Sequence, residues 1–138
     1  MTAPTLPRRL ADWPARLDSY VHALRQSPFR WGALDCVTFA AGAVQAITGQ
    51  RPAHPQWVSE RSAARARRRA GGLHAAVSAL LPELPAPTLA QRGDVLLVRQ
   101  PGRDLLAVCL GDTWAAPGRN GLHFGPICAA VTGWKVGC

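Results

Sequence analysis

The chain has 138 residues, 48% of them hydrophobic and 17% charged. That is enough for one ordinary domain with its own core, and it excludes a wholly disordered chain. The 16 Lys and Arg against 8 Asp and Glu give a net charge of +8, which fits either a polyanionic partner or a compositional bias toward arginine and alanine.

Asp12 is placed to cap a first helix, with Pro14 in its first turn. Leu17, Tyr20, Val21 and Leu24 recur at helical spacing, and Ser27-Pro28 ends the run. Phe29 to Leu34 reads as an aromatic loop. A second helix is predicted from Asp35 to Thr48, with Val37, Ala40, Val44 and Ile47 as its apolar stripe and Gly49 as its stop. Gln50 to Val58 holds Pro52, Pro55 and Trp57 and reads as a loop. Ser59 caps a third helix through Ala70, in which Arg61, Arg65, Arg67, Arg68 and Arg69 alternate with alanines. Gly71-Gly72 breaks it, and Leu73, Val77, Leu80 and Leu81 suggest a short fourth helix ended by Pro82.

The period then changes. Asp94 to Arg99 reads as a strand between Gly93 and a Gln100-Pro101-Gly102 turn, followed by strands at Leu105 to Leu110 and Thr113 to Ala116. Pro117 to Gly121 is a turn, and Leu122-His123-Phe124 and Val131 to Val136 are two further strands. Helices first and an antiparallel strand meander after define an α+β class. The expected organisation is a single domain over 1–138: an arm at 1–10, a helical half at 11–82, a Pro-rich connector at 83–91 and a β half at 92–138. No apolar run reaches the length of a membrane span, and the opening MTAPTLPRRL has no apolar core of an export signal.

The four cysteines are Cys36, Cys109, Cys128 and Cys138. None forms a C-x-x-C pair, so no metal and no cofactor are assigned, although their number alone leaves a four-cysteine site open. Without an export signal they read as reduced thiols. Cys109 and Cys128 sit in apolar runs and read as core residues, and Cys138 as an inert terminal thiol. Cys36 falls in the first turn of a helix, whose amino end carries about half a positive charge and favours a thiolate. Such a thiolate is the nucleophile of cysteine peptidases when a histidine assists it. The plainer reading makes Cys36 one more small buried residue.

Trp31-Gly32 followed by Asp35-Cys36 and an apolar helix resembles the nucleophile motif of the NlpC-type papain-like cysteine peptidases, which cleave cell-wall peptides. Arg92-Gly93-Asp94 with its apolar strand resembles their Gly-Asp strand. The pattern Trp31-Gly32, Asp35-Cys36, Phe39-Ala40, Arg92-Gly93-Asp94, Cys109-Leu110-Gly111 and Trp134 is similar, over residues 10–136, to a family of small phage-tail proteins related to those peptidases. This resemblance implies a papain-like fold, a place in the tail tip or tail hub of a phage or phage-like particle, and Cys36 at the nucleophile position. It also implies a departure. Aligning Leu110-Gly111 on the peptidases puts Leu105 where the catalytic histidine belongs, and the third, ring-orienting residue near Pro117. Neither side chain moves a proton.

The expected function is therefore a tail-tip or tail-hub assembly component, made in the host cytoplasm and carried in the virion, with a degenerate peptidase site. Its partners would be other tail proteins. Two alternatives stand beside it. One is an active peptidase on peptidoglycan peptides, with Cys36 as nucleophile and His123 as substitute base. His22, His54 and His74 read as surface or boundary residues. The other, ranked last, is a nucleic-acid-binding module driven by the charge and the Arg65–Arg69 run, which no recognised nucleic-acid motif accompanies. Trp31 and Asp35, with Arg65, Arg67, Arg68 and Arg69, are candidate binding residues. Asp94 reads as a structural carboxylate accepting backbone or arginine hydrogen bonds.

Overall fold

The structure is a computed structural model and describes residues 8–54 and 57–137. Pro55 and Cys138 lie outside the described residues. Four helices precede five strands: α1 Trp13–Leu24, α2 Cys36–Thr48, α3 Glu60–Arg69, α4 Leu73–Ser78, then β1 Val95–Gln100, β2 Arg103–Cys109, β3 Thr113–Gly118, β4 Gly121–Pro126 and β5 Ala130–Trp134.

Local sequence explains most boundaries. The Asp35 carboxylate accepts the Val37 and Thr38 amides, and the Thr38 hydroxyl accepts the Asp35 amide, a complete capping box for α2. Gly49 closes the helix in the left-handed region, at φ 84°. Ser59 and Ser62 cap α3 in the same reciprocal way. Asp12 occupies the cap of α1 but makes no capping bond; its carboxylate accepts from Arg16 instead. The fourth helix stops at Ser78, four residues short of Pro82.

The strands form one antiparallel sheet in the order β4-β3-β2-β1-β5. A pure meander covers only β1 to β4. The last strand crosses back and pairs with β1, aligning Val95 with Trp134. The connector is zipped to it: the Leu84 amide donates to the Gly133 carbonyl and the Lys135 amide to the Pro82 carbonyl. The strand ends at Trp134, two residues before the expected Val136.

β1 lies between β2 and β5, and Val95 to Val98 are buried on both faces. Val95 and Leu97 join Leu106, Val108 and Ala115 against Phe39, Val44 and Ile47 of α2. Leu96 and Val98 join Ala107, Cys109, Trp114 and Ala116 on the far face, against Ala90 and the turn at Ile127–Ala129. Cys109 is thus core. Cys128 is not: it is exposed, because the helical turn between β4 and β5 sends Ile127 and Ala129 inward and leaves Cys128 outside.

Asp94, fully buried, binds the two halves of the chain together. It accepts the Val136 amide at 3.0 Å, the Gln91 amide at 2.9 Å and the Arg9 guanidinium at 2.8 Å. Arg9 also donates to the Val136 and Arg92 carbonyls and lies over the Trp13 ring. The Arg92-Gly93-Asp94 motif is in this structure a tie between the amino-terminal segment and the sheet. No helix of the described residues is long and apolar enough to cross a membrane.

Candidate functional site

Cys36 is the first residue of α2 and is half-buried, between two adjoining clefts. The first, of about 320 Å³, lies among α2, α3, α4 and Leu106 of β2. The second, of about 280 Å³, lies among the Phe29–Trp31 loop, the start of α3 and the ends of β2 and β3. Trp31, Cys36, Ala63 and Arg67 line both. Phe29 and Trp31 meet edge to face, with ring centres 4.8 Å apart.

Asp35 organises this corner. It is 1% exposed. One carboxylate oxygen takes the Val37 and Thr38 amides of α2; the other takes the Gly32 amide at 2.9 Å and the Trp57 indole N–H at 2.7 Å. Gly32 has φ +79°, and a Cβ there would sit 2.1 Å from the Trp57 carbonyl oxygen. The Trp-Gly-x-x-Asp-Cys pattern thus encodes a positive-φ turn and a buried carboxylate that holds turn, helix end and Trp57 together. With its oxygens so occupied, Asp35 is a framework residue.

The thiol does not behave as the helix position alone predicts. Burial pushes the Cys36 thiol up; a backbone hydrogen bond at Leu106 pulls down, the Asp35 carboxylate pushes up again, and Arg67 and Arg103 pull down more weakly. Desolvation of the charged form outweighs the helix end, so Cys36 is a neutral thiol at neutral pH.

The two positions that the resemblance reserves for a base and its orienter both reach the second cleft: Leu105 and Pro117 line it together with Cys36. His123 does not. It lies exposed on β4 opposite Ala116, with its ring against Trp114 of the far-face cluster. Neighbouring Leu122 packs into the cluster that contains Cys36, so the alternation of a strand sends His123 to the other side of the sheet. His123 is therefore corrected from substitute base to a far-face residue. The histidine that shares a cleft with Cys36 is His54, from the loop after α2, 5.8 Å ring to ring from Trp57. Its sequence signal was hidden, because a Pro-rich loop has no period from which a direction can be read. His22 is exposed, and His74 is exposed and paired with Glu83.

The arginines of α3 divide. Arg61, Arg65, Arg68 and Arg69 are exposed, whereas Arg67 is half-buried and turns toward Cys36. Ala63, on the same helix, is buried. Trp57, absent from the candidates, is the residue that joins α2 to the following loop; its hydrogen bond is long-range and carries no local pattern. Among the described residues, no group of three or more His, Cys, Asp or Glu is placed to hold a metal ion.

No curated protein and no solved structure matches the chain. A family model described as a domain of unknown function, DUF6950, matches residues 8–136.

Proposed function

The chain belongs to the DUF6950 family, a domain of unknown function, and we propose, on its resemblance to small phage-tail proteins, that it is an assembly component of a phage or phage-like tail tip or hub, built on a papain-like frame whose peptidase site is spent. The observation that carries this reading is the second cleft, where Cys36 faces positions held by Leu105 and Pro117. A cysteine peptidase attacks the scissile carbonyl with a thiolate and then protonates the leaving amine. Leu105 and Pro117 supply no proton, and burial holds the Cys36 proton on sulfur. What remains is a rigid frame, fixed by Asp35 and Asp94, with exposed arginines along α3 for contact with neighbouring subunits. The test is genetic. Deleting the gene should abolish assembled tails, and Cys36→Ala supplied in trans should restore them as fully as the wild type. Normal particles from the deletion would overturn the reading.

A second reading is supported by the position of His54 in the wall of the Cys36 cleft. There the chain is a peptidase acting on peptidoglycan peptides, with Cys36 as nucleophile and His54 as base. It requires release of labelled peptides from cell-wall fragments by purified protein or assembled particles. It also requires loss of that release in Cys36→Ala and His54→Ala.

A further inference from the structure

The first cleft has a composition that neither an assembly role nor peptide cleavage uses. Its wall includes Ala63 and Ala66 of α3, Ala75 and Ala76 of α4, and Ala70 and Ala79, which follow the two helices directly. Methyl groups on two successive helices leave open the space that leucines would fill. At about 320 Å³ it falls within the range of small-molecule sites, roughly 300–1,000 Å³. It is also about twice the size of an apolar cavity of about 150 Å³ that stays dry and takes up benzene.

The polar lining is Asp35, Cys36 and Arg67 with the His54 and Trp57 rings. Asp35 already accepts four hydrogen bonds there, and Cys36 is a neutral thiol. Arg67 stands where the two clefts join and makes no ion pair with any described residue. Arg103 and Glu60 line the adjoining cleft; Asp104 lines it too but pairs with Arg99. The count is even, Arg67 and Arg103 against Asp35 and Glu60, but the half-buried Arg67 guanidinium lies within ion-pair distance of no described carboxylate, which leaves its donors to a single anionic group. Apart from Arg67, the side chains that α3 and α4 bring to the cleft are aliphatic, so a peptide backbone there would lose its hydrogen bonds. An alkyl chain has none to lose.

We propose that this cavity binds a medium-chain fatty carboxylate, with the alkyl chain between α3 and α4 and the carboxylate at Arg67. The proposal is independent of whether Cys36 performs chemistry and of where the protein assembles.

Isothermal titration of the full chain with sodium decanoate, below its micelle concentration, tests it, with decan-1-ol and butyrate as companions. Decanoate should bind at one site, decan-1-ol about tenfold more weakly, and butyrate not measurably. Arg67→Ala should reduce decanoate to the level of the alcohol. Ala66→Phe should fill the cavity from α3 and abolish binding; Ala76→Phe does so independently from α4, should the first variant fold poorly. No binding of decanoate, equal binding of the alcohol, or affinity unchanged in Arg67→Ala or in a folded phenylalanine variant would overturn the proposal.

Discussion

The Asp35 carboxylate accepts the Trp57 indole N–H at 2.7 Å, across 22 residues of chain. The same oxygen takes the Gly32 amide, and the other oxygen caps α2. A residue beside a candidate nucleophile thus does conformational work on three segments at once.

Removing that carboxylate leaves four donors without an acceptor in a buried site. Loss of an N-cap costs about 1 kcal/mol, and each further orphaned buried donor about 1–3. Asp35→Ala should therefore destabilise the fold by about 3 kcal/mol or more in urea denaturation. Asp35→Asn should cost less than Asp35→Ala because its carbonyl can still cap α2, but it should remain destabilising, since its amide N–H groups would meet the Gly32 and Trp57 donors. Equal stability of Asp35→Ala and wild type would refute the framework role.

Gly32 faces a stricter limit. Its φ is +79°, and an added Cβ would meet the Trp57 carbonyl at 2.1 Å. Backbone strain of this kind costs about 1–3 kcal/mol, and the overlap adds to it. Gly32→Ala should lower the urea midpoint and expose Trp57 to fluorescence quenching by iodide. Quenching unchanged from wild type would show that the turn tolerates a side chain.

Arg9 and Asp94 make a buried pair, with side chains 12% and 1% exposed. Breaking one partner of such a pair costs about 3–5 kcal/mol. Arg9→Ala should destabilise the chain on that scale and loosen residues 8–13 in hydrogen exchange. A loss below about 1 kcal/mol would mean that the aligned carbonyls and amides hold the segment without the charge.

Tyr20 gives a prediction in alkaline solution. Burial pushes its phenol up to about 12 from the ordinary 10, against a lowering by Arg51, and its hydroxyl donates to the Phe39 carbonyl at 2.8 Å. A phenol raised on folding stabilises the native state below pH 10, and that contribution disappears as pH rises from 10 toward 12. It is the chain's one tyrosine, so the tyrosinate absorbance of the native protein should rise only near pH 12. A midpoint near 10 would show that the ring is accessible. Tyr20→Phe should flatten the loss of stability in that interval.

Much of this molecule is legible in the sequence, for local reasons. The cap at Ser59, the stops at Gly49 and Gly71-Gly72, and the change from helical to alternating period are properties of neighbouring residues. Asp94 was readable as structural because a carboxylate at the mouth of an apolar strand needs donors, though Arg9 as one of them was not. What escaped depended on contacts distant in sequence. The return of β5 to pair with β1 follows from no local signal. The side of the sheet taken by His123 required the strand register, and the approach of His54 to Cys36 required the path of a loop. The rise of the Cys36 thiol required its burial, which a helix position alone does not reveal.

The most direct test of a spent site is the reactivity of Cys36 measured against an internal standard. Exposed Cys128 supplies one in the same molecule. Iodoacetamide labelling across pH 6–10, read by mass spectrometry at each cysteine, should modify Cys128 first. Cys36 should lag at neutral pH, react only above about pH 9, and be unaffected by His54→Ala. Labelling of Cys36 ahead of Cys128 at pH 7, slowed by His54→Ala, would reveal a working thiolate–imidazole pair and contradict the account.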